Sequence, residues 1–100
     1  MPNLEEIENL VIATVRNLSE DFVIPELNTP KPESSLYGNG GPLDSMALVN
    51  LIADIEEAIG EHYNIAITLA DEKAISARNS PFATVRRLAE ATAERIADAE

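Results

Sequence analysis

The sequence predicts an all-α fold, a small four-helix bundle of three longer helices and one short helix, with a long loop between helices 1 and 2. Three observations carry that expectation. Apolar residues recur at spacings of three and four in three separate segments, the period of a helix with one buried face. The chain is 45% hydrophobic, yet its only aromatic residues are Phe22, Tyr37, Tyr63 and Phe82, so the core is aliphatic and suits helix-on-helix packing. The run from Ile65 to Leu69 alternates like a strand but has no second strand to pair with, so an extended connector is expected there.

The first helix is expected over about residues 4–20. Asn3 is a good N-cap, and Glu6 three positions later completes a capping-box-like pair. Ile7, Leu10, Val11, Thr14 and Leu18 form its apolar stripe, and Glu5, Glu6 and Glu8 sit where the helix dipole favours negative charge. Residues 22–43 carry Pro25, Pro30, Pro32, Pro42, Gly38, Gly40 and Gly41, which interrupt any long regular element. Phe22, Val23, Ile24, Leu27, Leu36 and Tyr37 are too apolar for a free linker, so this loop is expected to pack along the core.

The second helix is expected from Asp44 or Ser45 to between Ile59 and Tyr63, with Gly60 marking its end. Leu48, Leu51, Ile52, Ile55 and Ile59 make a core-facing stripe, while Met46, Val49 and Ala53 lie on a neighbouring strip. A short third helix is expected at Asp71–Ala77. Ser80-Pro81 reads as the start of the last helix, whose stripe is Phe82, Val85, Leu88, Ala89, Thr92 and Ile96.

One hundred residues are one domain, 1–100. Eighteen acidic against seven basic residues give a net charge of −11, which argues against a nucleic-acid partner. The same charge disfavours attachment to an anionic membrane surface. There is no cysteine, so disulfides, thiolate metal sites and cysteine nucleophiles are excluded. Neither a signal-peptide pattern nor a membrane-length apolar run is evident, and the expectation is a soluble, cytoplasmic, monomeric protein without membrane insertion.

No Lys or Arg occurs between Lys31 and Lys73, so the second helix is purely acidic with an apolar strip beside its charges. That pattern is read either as a solvated face or as a docking surface for basic partners. Glu57 and Glu61, one turn apart, are too few for a dedicated divalent-cation site. Leu43-Asp44-Ser45-Met46 follows a Gly-Gly-Pro turn and opens the core stripe. Asp44 and Ser45 are ordinary helix starters on one reading. On the other, Ser45 is a hydroxyl presented at a helix start, where a phosphate ester would meet backbone N–H groups and the positive end of the dipole.

These residues resemble the acyl carrier proteins and related phosphopantetheine-binding carrier domains. The resemblance rests on Asp44-Ser45-Met46, the run Ala47-Leu48-Val49-Asn50-Leu51-Ile52, then Ile55-Glu56-Glu57, Tyr63-Asn64-Ile65, and Phe82-Ala83-Thr84-Val85 leading to Leu88. It spans about residues 43–96 and is generic over the first helix. It implies that Ser45 carries 4′-phosphopantetheine, attached covalently from coenzyme A by a phosphopantetheinyl transferase, with Asp44 capping the helix that presents it. The cofactor's thiol then holds acyl groups as thioesters, in keeping with a chain that has no cysteine. Met46, Val49, Ala53, Glu56 and Glu57 would meet acyl-transferring or acyl-modifying enzymes with basic docking surfaces. Ile52, Ile55 and Ile75 would line a shelter for the acyl chain. Ala47 and Asn50 stand where carriers of fatty-acid synthesis usually have acidic residues, which points to a specialised member of a fatty-acid, lipid or other acyl pathway.

Two other classes bear on these residues. Intrinsic catalysis is disfavoured, because the lone His62 sits near a helix end and no Gly-x-Ser-x-Gly elbow surrounds Ser45. A non-carrier acidic module that binds partners through Met46 and Val49 is one alternative, and an aminoacyl or peptidyl carrier is another.

Overall fold

The computed structural model of the chain describes residues 3–38, 41–69 and 82–99. Among them are three α-helices and no strand: α1 (Leu4–Phe22), α2 (Ser45–Tyr63) and α3 (Val85–Ala99), with a short 3-10 turn at Pro25–Leu27. The all-α expectation therefore holds for the described residues. The short helix expected at Asp71–Ala77 lies outside them.

α1 packs against both α2 and α3. Its N-terminus is capped as the sequence implies, with Glu6 N–H donating to Asn3 Oδ1 at 2.8 Å. At the far end of α2, burial first and the charge of Glu6 second push the Tyr63 hydroxyl above its ordinary value of 10.0. The buried face is Ile7, Val11, Val15, Leu18 and Ser19; Leu10 and Thr14, assigned to that stripe from spacing, are only half-buried. The helix ends at Phe22, and Val23 takes a left-handed conformation with φ 54°.

α2 buries Ala47, Leu48, Leu51, Ile52, Ile55 and Ile59, the whole expected stripe plus one alanine. It does not stop at Gly60. The helix runs on to Tyr63, and Asn64 takes the left-handed cap with φ 55°, its N–H donating to Gly60 O. Asn tolerates this conformation because its short polar side chain can bond locally. Residues 64–69 then form neither helix nor strand, and Leu69 is buried.

The last helix departs from expectation at its start. It begins at Val85, not at Ser80-Pro81, and Thr84 is its cap, with Thr84 Oγ1 accepting from Arg87 N–H at 3.1 Å. The reason is a competing use of the backbone. Phe82 O and Ala83 O accept from Tyr37 N–H and Leu36 N–H in the long loop, so neither carbonyl enters a helix. Val85 N–H and Arg86 N–H return the pairing to Ser34 O and Pro32 O.

The long loop thus becomes a strap bonded to the entry of α3. Leu27, Pro30, Leu36 and Leu43 are buried along it, as its apolar content implied. Leu27, Leu36 and Leu43 join the helix faces and Phe82 in one core cluster.

Candidate functional site

The site at the start of α2 is built by a fold-back of the strap. Leu36 and Leu43 are both buried, and Leu43 N–H donates to Leu36 O at 2.9 Å. Gly41 N–H donates to Gly38 O at 2.7 Å, which tightens the turn between them. A Cβ on Gly41 would stand 2.7 Å from Leu36 O, so this close approach requires glycine. Asp44 follows in extended conformation, and its Oδ1 accepts from Ala47 N–H at 2.8 Å. That is an N-cap, and it leaves Ser45 as the first residue of a 19-residue helix.

Ser45 is exposed. Its Oγ lies 3.4 Å from the Tyr37 hydroxyl, a weak hydrogen bond at the long end of the range. An exposed hydroxyl in this position has room for a bulky substituent, and the positive end of the α2 dipole lies beside it. Met46 and Val49 are 75% and 62% exposed, large values for apolar side chains, and Ala53 continues the strip. Among the described residues no group of three or more His, Asp or Glu could hold a metal ion. Among the same residues, no helix is long and apolar enough to cross a membrane.

No protein-family model, no curated protein and no solved structure matches this chain. The functional reading therefore rests on the residues and their geometry.

The acidic residues of α2 divide into different roles. Glu57 is exposed and free to face a partner. Glu56 is half-buried, and its Oε2 accepts from Leu69 N–H at 2.7 Å, so it clasps the connector to α2. Asp54 accepts from Asn50 Nδ2 at 2.9 Å. Burial first, and the charge of Asp21 second, push the Asp54 carboxyl above its ordinary value of 3.8.

Ile52 and Ile55 are 3% and 0% exposed and belong to the core cluster. Ile75 lies outside the described residues. A surface groove of about 470 Å³ lies elsewhere, between α1 and the far end of α2, lined in part by Leu10, Ala13, Ala58, His62 and Tyr63. Neither isoleucine lines it. Sequence reasoning did not single out Tyr37 as a site residue, counting it only among the apolar residues of the loop. The available signal was a hydroxyl-bearing ring between a buried leucine and a glycine turn that leads back to Ser45.

Proposed function

We propose that this chain is an acyl carrier protein, with Ser45 as the attachment point for 4′-phosphopantetheine. The observation that carries the reading is Ser45 itself: an exposed hydroxyl on the first residue of a long helix, capped by Asp44 and flanked by an exposed apolar strip. In the attachment, Ser45 Oγ loses its proton and forms a bond to the pantetheine-bearing phosphorus of coenzyme A. The pyrophosphate P–O bond breaks and 3′,5′-ADP leaves. The attached group supplies the thiol that holds acyl cargo as a thioester.

The rest of the chain would orient and present that group. Asp44 fixes the helix start, and Met46, Val49 and Ala53 offer an apolar strip to acyl-transferring or acyl-modifying enzymes. Glu57, with Glu56 behind it, adds charge that steers basic surfaces. Ile52, Ile55 and Ile75 are the proposed lining of an acyl shelter, which would open by separating core side chains. The reading includes a fourth, short helix at 71–77, a monomeric state and a cytoplasmic setting. Ala47 and Asn50 in the first turn lower the charge of the contact face and favour a specialised pathway.

The test is intact mass before and after incubation with coenzyme A and a promiscuous phosphopantetheinyl transferase. One phosphopantetheine increment on the wild type, absent from Ser45→Ala, is expected. A folded, initially unmodified wild type that gains no mass would remove the reading. The exposure of Met46 and Val49 would then favour the second reading, a partner-binding helical module whose affinity survives Ser45→Ala.

A further inference from the structure

We propose that the Tyr37 hydroxyl is a phosphate-contacting group, donating a hydrogen bond to the phosphodiester on Ser45; this role rests on the carrier reading above. The Tyr37 hydroxyl already stands 3.4 Å from Ser45 Oγ. The backbone beneath the ring is fixed on both sides. Tyr37 N–H donates to Phe82 O at 3.1 Å, and the preceding Leu36 is fully buried and bonded to Ala83 and Leu43. The ring is half-buried against the core, so the hydroxyl is held at the edge of the site while its end faces Ser45.

In the unmodified protein either hydroxyl can donate to the other. Esterification removes the Ser45 proton and places charged oxygens one atom beyond Oγ. The phenol then becomes the donor, and a bond from a neutral O–H to an ionised oxygen is shorter and stronger than one between two neutral groups. The local sequence makes such a donor useful. No Lys or Arg lies between Lys31 and Lys73, and Asp44 adjoins the serine, so this stretch of chain offers the phosphate no cation. The strap therefore supplies a neutral donor to an anion set on an acidic helix.

The experiment compares wild type, Tyr37→Phe and, as a distant control, Tyr63→Phe. Each is converted with excess coenzyme A and a promiscuous transferase, checked for one mass increment, and examined by 31P NMR. Phenylalanine keeps the ring, and an unchanged circular-dichroism melt verifies the fold. The expected result is a resolved shift of the phosphodiester resonance in Tyr37→Phe, with Tyr63→Phe superimposing on wild type. Superimposable resonances in all three proteins would overturn the Tyr37 role and leave the carrier reading standing. A wild type that takes no increment would overturn both. Equal shifts in both tyrosine variants would also overturn the role, since the effect would not be specific to the ring beside Ser45.

Discussion

Removing the Glu56 carboxylate should loosen the connector that follows α2, and the size of the effect follows from one bond. Glu56 Oε2 accepts from Leu69 N–H at 2.7 Å, and Leu69 is only 2% exposed. Glu56→Ala leaves that buried amide without its acceptor. A hydrogen bond to a charged group is worth about 1.5–3 kcal/mol, and a half-buried carboxylate belongs at the low end, about 1.5–2. Alanine's better helix propensity returns a few tenths of a kcal/mol, leaving a net loss of about 1.5 kcal/mol. For a domain near this length that lowers Tm by about 6–12 °C. Glu56→Gln keeps a neutral acceptor on the same stem and should lose roughly half as much. Thermal melts of the three proteins give the magnitude, and hydrogen exchange at the Leu69 amide gives the cause. If Glu56→Ala melts with wild type and the Leu69 amide exchanges no faster, the clasp is absent and Glu56 is only a surface charge.

Other consequences can be checked in the same way. Gly60 sits inside α2, and a Cβ there would meet nothing nearer than Ile65 O at 4.0 Å. Gly60→Ala should therefore stabilise the protein by about 0.5–1 kcal/mol, read as a higher denaturant midpoint at unchanged m-value. Gly41→Ala should do the opposite, because its Cβ would strike Leu36 O at 2.7 Å and force the strap to shift. A cost on the order of 1–3 kcal/mol is expected, with amide shifts concentrated at Tyr37 and Ser45 in a 15N spectrum. Asp54→Asn should stabilise at neutral pH. The folded Asp54 pKa is raised above its ordinary 3.8, so the folded state binds its proton more tightly than the unfolded state. Stability is then lost as pH rises from the ordinary value through the raised one, and the variant escapes that loss. Its advantage over wild type should vanish below the ordinary value, as urea titrations across pH will show.

The sequence was most legible along α2, which among the described helices packs against α1 alone. Along α2 the stripe Leu48, Leu51, Ile52, Ile55 and Ile59 is buried, while Met46, Val49 and Ala53 stay exposed, as period alone required. α1 was read less well because it is covered by both α2 and α3, which widens its buried face to include Val15 and Ser19. Ser19 is buried at 1%, and its hydroxyl donates to Arg16 O and lies 3.2 Å from Asn28 Oδ1. That partner is set by the path of the loop, which no local pattern encodes. The bond that Glu56 makes lay beyond local pattern for a related reason, since its donor sits on a connector 13 residues away. The start of α3 failed through competition, because Ser80-Pro81 is a sound local signal that lost to backbone pairing between Phe82, Ala83 and the strap. At the candidate site, Asp44, Ser45 and the apolar strip were visible in sequence, whereas Tyr37 reaches Ser45 only through the fold-back at Gly41.

The strap also has a kinetic meaning. Helices α1 and α2 can each form from neighbours in sequence, but the bonds from Leu36 and Tyr37 to Ala83 and Phe82 close a loop that encloses all of α2. Closing so long a loop costs chain entropy that local contacts do not, and such contacts form late when a chain folds. The surroundings of Ser45 therefore depend on the arrival of the C-terminal third of the chain. During synthesis, a nascent chain that has completed α2 would already hold the serine and the Gly41 fold-back, but not yet the Phe82 and Ala83 carbonyls that anchor Tyr37 and Leu36.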